Sequence, residues 1–345
     1  MNIKRYIQKY KKDERLGAGH LSADHVRAAF PLTFLMHGYP TQIRVFLDLL
    51  KYVDTMQELS NLDYFFNQMF VNDIEKKRIN EISSLVGSIT ECLFRKRIEP
   101  WIGPLATLPV ARAVNCLSNS IRKKSLNILE IGSGSGYLVA HLGKMGHRVF
   151  ATDTTEGFYL WQNIFWKKLF GKDFFEASLF RPFADFSHLK NKIVHLPWWV
   201  FFSCYKSSLP KIDLVICDHA FGEMYPYGYK YVVALIKLLA QNNPNLFVLY
   251  ESFGEPRFQG PNHLNNDLAL FQFTSQSLAF FTCLLHENNP FKSRLRISDF
   301  SLCKIQGPQN GHYHAGRTCV LLQEKFAPKS IEFYRFLGFK TPTEI

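Results

Sequence analysis

The pattern of apolar and polar positions divides the chain into two parts. From about residue 43 to residue 98, apolar residues recur at intervals of three and four, as in IRVFLDLLKYVDTMQEL and INEISSLVGSITECLF. This spacing places the apolar side chains on one face of a helix, so we predict a helical N-terminal subdomain over residues 1–110. A break separates it from the rest of the chain. The residues of this break are Pro100, Gly103, Pro104 and Pro109.

Beyond Ser125, short β-branched runs alternate with helical stretches. This alternation is typical of βαβ units and a parallel sheet. We therefore expect an α/β domain over residues 111–345 with a seven-stranded, mostly parallel sheet. The predicted strands are 127–131, 148–152, 192–196, 213–217 and 245–250, with a final pair at 301–305 and 317–323.

Composition restricts the class of protein more than its function. The 345 residues are 47% hydrophobic, which is enough to fill a core of ordinary size. The formal charge of +12 suits a nucleic acid, a membrane surface or an anionic substrate. Seven scattered cysteines without a CxxC pair argue against a zinc site or a disulfide framework, and they suggest a reducing compartment such as the cytoplasm.

The N-terminus is basic, but no apolar stretch follows that could act as the core of a signal peptide. The most apolar runs are too short or too interrupted to span a bilayer. We therefore expect a soluble, cytoplasmic protein. The basic segment is predicted to be a frayed, solvated tail; the alternative is that it lies on anionic lipid at the inner face of the membrane.

A glycine-rich turn follows the first predicted strand. Three alternating glycines, Gly132, Gly134 and Gly136, lead from an acid, Glu130, into the helix YLVAHLGKM. Without Cβ atoms the glycines permit positive φ and let backbone amides approach a ligand closely. The N-terminus of the helix supplies free N–H groups, and ligands of α/β sheets bind at the carboxyl ends of the strands.

The glycine spacing distinguishes two kinds of nucleotide site. The dinucleotide fingerprint is GxGxxG, whereas the third glycine here is Gly136 and the next residue is Tyr137. The charge of Glu130 opposes a pyrophosphate but favours the ammonium and sulfonium groups of S-adenosylmethionine (SAM). Asp153, at the end of the second predicted strand, can accept hydrogen bonds from both ribose hydroxyls; the alternative is that it only caps the next helix.

Strand, glycine loop, helix, strand and acid together resemble the first half of the class I methyltransferase fold, which is Rossmann-like. This resemblance implies SAM as the cofactor. The predicted cofactor residues are Glu130, Gly132, Ser133, Gly134, Gly136, Asp153, Thr154 and Gln162.

The fourth predicted strand ends in Asp218 and His219, with Glu223 four residues on. An oxygen nucleophile must lose its proton as it attacks a methyl group, and histidine titrates closest to neutral pH. We predict His219 as the general base, with Glu223 orienting it or binding a substrate hydroxyl. Asp218 could complete a divalent metal site with them, although metal dependence is not favoured. Alternatively, His219 is a structural histidine bonded to backbone.

Two segments, HLPWWVF at 195–201 and DLVICDHAFGEM at 213–224, resemble the bacterial sugar O-methyltransferase family. That family pairs a Pro-Trp-Trp segment with an Asn-His…Glu-Met segment, after a SAM-binding glycine loop and a helical N-terminal region. The likeness covers roughly residues 52–324 and implies a sugar hydroxyl as the acceptor. Asp218 departs from it, because asparagine is expected there. The added charge would raise the pKa of His219 or recruit a cation.

Four further residues are candidates for substrate binding. Trp198 and Trp199 suit stacking on a sugar, but their apolar surroundings favour a core position for at least one of them. Glu251 follows the fifth strand at the ligand edge of the sheet. His314 lies in a predicted hairpin, where a solvated loop is the simpler interpretation.

Two other functional classes are less well supported. A nucleic-acid methyltransferase acting on base amino groups commonly carries an Asn/Asp-Pro-Pro-aromatic segment at the fourth strand, and Asp218 to Phe221 lacks both prolines. No RNA-binding module is visible either. The third class is a SAM-binding relative without catalytic activity, which the intact loop, acid and histidine disfavour.

Overall fold

The computed structural model of this chain describes residues 3–18, 42–53, 71–178, 185–204, 208–218, 220, 226–243, 246–251, 279–282, 300–302 and 321–323. Its strands are β1 (Asn127–Ile131), β2 (Arg148–Asp153), β3 (Phe174–Glu176), β4 (Ile193–Pro197), β5 (Leu214–Asp218), β6 (Phe247–Glu251), β7 (Ala279–Thr282), β8 (Phe300–Leu302) and β9 (Leu321–Gln323). Its α-helices are α1 (Ile3–Gly17), α2 (Leu50–Val53), α3 (Asp73–Phe94), α4 (Ile102–Ala106), α5 (Leu108–Ser120), α6 (Tyr137–Lys144), α7 (Glu156–Phe170), α8 (Trp198–Phe201) and α9 (Pro226–Asn242). A 3₁₀ turn, Phe46–Leu49, leads into α2.

The main sheet has the strand order β3-β4-β2-β1-β5-β6-β7. All neighbouring strands are parallel except β6 and β7, which are antiparallel. The chain adds β2 and β4 on one side of β1 and then returns to place β5 on the other side. In such sheets a ligand binds where the strand order reverses, outside the carboxyl ends of the strands. The crevice therefore lies between the carboxyl ends of β1 and β5.

The sequence predicted the five central strands, and β1, β2, β4, β5 and β6 confirm them within one or two residues at each end. The predicted final pair is confirmed as a pair, because β8 and β9 pair with each other. Its place in the main sheet is wrong, because the two strands form a separate two-stranded sheet. An apolar run indicates that a strand is buried, but not which sheet the strand joins. The main sheet is instead completed by β3 and β7, which are only three and four residues long.

The predicted break between the two parts of the chain is helical from Ile102 onward, whereas Pro100 lies in the irregular segment between α3 and α4. Pro104 lies in the first turn of α4, and Pro109 occupies one of the first two positions of α5. Proline is tolerated there because those backbone N–H groups have no partner within the helix. The preceding helix α3 has strong end signals of its own. Asn72 accepts from the amide of Glu75, whose carboxylate accepts in return from the amide of Asn72, and Arg95 ends the helix with a φ of 57°.

The basic N-terminal segment is not the frayed tail that we predicted. It forms α1, whose inner face packs on the sheet domain: Tyr6 donates to Glu176, Lys9 donates to Ser178, and Glu14 accepts from Trp198 Nε1. One continuous apolar core includes side chains of α1, of α3 and of both faces of the sheet. The division into residues 1–110 and 111–345 stays a prediction.

Across the described residues, no helix is both long and apolar enough to cross a bilayer.

Candidate functional site

The loop between β1 and α6 adopts the backbone conformation that its glycines predicted. The φ angles of Gly132, Gly134 and Gly136 are +81°, +54° and +83°. Residues other than glycine rarely adopt such angles. The amides of Gly132 and Ser133 both donate to the carbonyl of Thr152, at 2.9 and 3.3 Å, so the loop is fixed to the end of β2.

Three side chains hold the glycine loop from outside. The Gly134 amide donates to Asp153 Oδ2 at 3.0 Å, and the Gly134 carbonyl accepts from Gln162 Nε2 at 2.5 Å. Trp166 Nε1 donates to the carbonyl of Gly136 at 3.0 Å. Asp153 and Gln162 were predicted from the sequence as cofactor residues, whereas Trp166 was not. The sequence indicates Trp166 through its position four residues after Gln162 in α7, because this spacing places both side chains on the same helix face.

The space around the three glycines differs. A Cβ atom at Gly132 would lie 2.6 Å from the Cβ of Ala220, and one at Gly136 would lie 2.8 Å from Trp166 Nε1. A Cβ atom at Gly134 would have no neighbour within 4 Å. The loop is therefore packed on both flanks and open in its middle. Gly134 provides a cradle in which a ligand can approach the backbone directly.

Asp153 is 6% exposed at the end of β2. Its Oδ1 accepts from the Thr155 amide at 2.8 Å, and its Oδ2 accepts from Gly134. The bond to Thr155 does not cap α7, because Thr155 precedes the first residue of the helix and its amide is not one of the unpaired amides of the first turn. The side chains of Thr155 and Gln162 also hydrogen-bond to this carboxylate. Burial raises the pKa of Asp153 to about 6, although the two backbone hydrogen bonds oppose this shift.

Buried polar atoms surround the cradle. Within the described part of the chain, Ser133 Oγ, Thr152 Oγ1 and Gln162 Oε1 have no hydrogen-bond partner. Buried polar groups are nearly always hydrogen-bonded, so these atoms indicate a missing polar partner. Glu130 adds a buried carboxylate at the end of β1, and Thr154 is half-buried beside Asp153. This set of acceptors and hydroxyls suits a polar ligand that carries positive charge and hydroxyl groups.

The N-terminal region forms a wall against the glycine loop. Ser135 Oγ donates to the carbonyl of Tyr52 at 3.1 Å, and Tyr137 Oη donates to the carbonyl of Val53. The ring of Tyr52 packs so closely on Gly157 that a Cβ atom there would lie 2.2 Å from it. No local pattern in the sequence predicts these contacts, because their partners are more than 80 residues apart.

The carboxyl end of β5 lies beside the glycine loop. Asp218, its last residue, is in register with Glu251 at the end of β6, so these two candidates occupy neighbouring positions on one edge of the sheet. Ala220 packs against Gly132, which places the chain just after β5 in contact with the loop. His219, Glu223 and His314, as well as the side chains of Asp218 and Glu251, lie outside the described residues.

A metal site was not favoured by the sequence. Among the side chains that the structure describes, no group of three or more His, Cys, Asp or Glu residues is arranged to hold a metal ion. His219 and Glu223 are not among these side chains, so the disfavoured metal site stays a prediction from the sequence.

Both tryptophans of the Pro-Trp-Trp segment are core residues. Trp198 is 1% exposed and Trp199 is 0% exposed, and their rings pack edge to face with centroids 5.8 Å apart. Trp198 donates to Glu14 of α1, and Trp199 packs on Tyr10 of the same helix. Stacking on a sugar requires an exposed ring face, so the described structure favours the core interpretation for both residues.

A buried polar cluster next to β4 was missed by the sequence analysis. His195 is fully buried, its Nδ1 bonds to Asn163 Oδ1 at 2.8 Å, and its ring stacks on Tyr159. Glu176 accepts from Asn163 and from Tyr159. Burial lowers the pKa of His195 well below its usual value and raises the pKa of Glu176. Burial thus favours the neutral imidazole of His195, and the cluster joins α7 to the sheet.

No protein-family model matches the sequence, and no curated protein matches it. Three solved structures of limited similarity are methyltransferases. The plantazolicin methyltransferase in complex with SAH is 13% identical, with a TM-score of 0.30, over 52% of this chain and 63% of that chain. The match thus spans less than two thirds of that enzyme.

The 1,6-didemethyltoxoflavin-N1-methyltransferase of Burkholderia thailandensis, with S-adenosylhomocysteine bound, is 17% identical over 69% of this chain and 83% of that chain, with a TM-score of 0.30. The magnesium protoporphyrin IX methyltransferase of Synechocystis, with SAM bound, is 14% identical over 51% of this chain and 77% of that chain, with a TM-score of 0.30. Because all three TM-scores are below 0.5, these similarities carry no weight for this chain.

Proposed function

We propose that this chain is a SAM-dependent methyltransferase that methylates a sugar hydroxyl. The observation that carries the first half of this proposal is the cradle at Gly134. It is the one open position of a positive-φ glycine loop, its backbone is held by Asp153 and Gln162, and it lies at the reversal of strand order. Loops of this kind bring backbone amides against a nucleotide-like ligand.

The residues around the cradle fit the chemical groups of SAM. Asp153 places a buried carboxylate at the cradle, which would accept from ribose hydroxyls, and Glu130 offers negative charge to an ammonium or sulfonium group. Ser133 Oγ and Gln162 Oε1 are buried atoms that such a ligand would supply with partners. When bound, SAM supplies an electrophilic methyl group. The protein's task is to hold the acceptor oxygen in line with that methyl group and to remove its proton.

The acceptor half of the proposal rests on the resemblance to the sugar O-methyltransferases and on the position of β5. Asp218 ends the strand next to β1, and the following residues run against the glycine loop at Ala220. We assign the general base to His219, between these two residues in the chain. Glu223 orients the imidazole, and Asp218 favours its protonated form by adding negative charge.

Two measurements test this proposal in sequence. Isothermal titration calorimetry with SAM tests the cofactor, and the absence of binding would end the proposal. Incubation with labelled SAM and a panel of cell-envelope glycans and nucleotide-sugars tests the acceptor. Transfer of label to a glycan is expected, whereas transfer to RNA alone would replace the sugar with a nucleic acid.

The role of His219 has its own test. The variant H219A should bind SAM with unchanged affinity but lose turnover, since a general base contributes typically 10²–10⁴-fold to the rate. The exposed His188 provides the matched control, because H188A removes an imidazole from the surface. Full turnover by H219A would exclude this residue as the base.

A further inference from the structure

The outer face of α1 carries an exposed basic stripe, which we define as Lys4, Arg5, Lys12 and Arg15. These residues lie on one side of the helix, because their positions fall within about 100° of each other at 100° per residue. The inner face is occupied by the contacts of Tyr6, Lys9 and Glu14 with the sheet domain described above. The stripe is therefore held in a fixed orientation on the surface, and it is not part of a mobile tail.

The acids of α1 do not neutralise this stripe. Asp13 pairs with Lys9 at 2.5 Å, with 11% of its side chain exposed, and Glu14 is buried beneath Trp198. The first turn of the helix contains no acid, and Arg15 stands in the last turn. The outward side of the helix thus presents positive charge near both of its ends, which attracts a negatively charged partner.

Exposed apolar side chains occur on α1 itself and on the segment that contacts it. Leu16, next to Arg15, is 69% exposed. In the segment 42–53, Val45 and Leu47 are 58% and 59% exposed and follow the exposed Arg44. This segment is a neighbour of α1, because Lys11 Nζ donates to the carbonyl of Ile43 at 2.8 Å.

The combination of charge and apolar groups identifies the class of partner. A surface that binds only phosphates gains nothing from exposed leucine and valine side chains. A surface that lies in the interface of a membrane uses basic residues for the headgroups and apolar residues for the acyl boundary. We propose that α1 and the neighbouring segment 42–53 bind peripherally to an anionic lipid bilayer.

The test is co-sedimentation of the full-length protein with vesicles. Vesicles of phosphatidylglycerol and phosphatidylcholine should bind the protein, vesicles of phosphatidylcholine alone should not, and binding should weaken as salt is added. A lysine or arginine near an anionic surface contributes about fivefold to partitioning, so the triple variant K4Q/K12Q/R15Q should bind about 100-fold more weakly. The milder variant K12Q/R15Q should show an intermediate loss if the triple variant is unstable.

The control variant K167Q/K168Q/K172Q removes the same charge from exposed lysines near the C-terminal end of α7 and in the turn that follows it. It should bind vesicles like the wild-type protein. A further variant, L16S/L47S, removes two exposed apolar side chains. It should still bind anionic vesicles at low salt, but it should lose the vesicle binding that persists at high salt. Equal losses in the control and the triple variant, or equal binding to neutral and anionic vesicles, would overturn the proposal. So would salt-dependent retention on RNA without any binding to vesicles.

Discussion

The glycine loop offers a matched pair of substitutions that separates ligand binding from stability. A Cβ atom at Gly134 meets nothing within 4 Å, whereas one at Gly136 lies 2.8 Å from Trp166 Nε1 and 2.9 Å from Cζ2 of the same ring. Both glycines have positive φ. The variants G134A and G136A therefore share the backbone penalty and differ in the steric one.

The sizes of these effects follow from the geometry. Left-handed backbone costs a residue other than glycine about 1–2 kcal/mol, and this is the whole expected loss of stability for G134A. In G136A, overpacking against a buried ring adds about 1–3 kcal/mol. Its total loss is then about 2–5 kcal/mol, which is a large part of the usual stability of a protein.

Urea unfolding measures the stability of both variants, and calorimetry measures their affinity for SAM. We expect G134A to remain folded but to bind SAM at least tenfold more weakly, because its methyl group occupies the cradle. We expect G136A to be the less stable of the two. If G134A binds SAM as tightly as the wild-type protein, the open space at Gly134 does not hold the cofactor and the reasoning fails.

Three further predictions concern charge and packing around the site. Burial raises the pKa of Asp153 to about 6, above the value of about 3.9 in the unfolded chain. Between these two pH values the folded state binds more protons than the unfolded state, so the stability of the SAM-free protein should fall as the pH rises. The variant D153N should flatten the slope of the unfolding free energy against pH. Arg112 and Glu75 form a nearly buried ion pair. The variant R112M should lower the free energy of unfolding by about 3–5 kcal/mol, because the charge of Glu75 stays buried without compensation. In urea unfolding, R112M/E75Q should recover part of this loss. Finally, Y137F should raise hydrogen–deuterium exchange around Val53 by removing a buried hydrogen bond, and unchanged exchange would contradict that contact.

The sequence was most informative where structure is determined locally. The five central strands and the positive-φ glycines were predicted correctly, because apolar runs, turn residues and glycine spacing reflect interactions between near neighbours. The same reasoning selected Asp153 and Gln162, which the structure brings together at the backbone of Gly134. The assignment of His219 stays a prediction from sequence.

The tertiary structure decided what depends on distant parts of the chain. The burial of Trp198 and Trp199, the packing of α1 on the sheet domain and the wall formed by Tyr52 against the loop join segments more than 80 residues apart. A basic N-terminal segment has the same local pattern whether it is frayed or packed. Glu176, Ser178 and Trp198 provide hydrogen-bond partners that fix α1, and no periodicity in the sequence encodes that encounter.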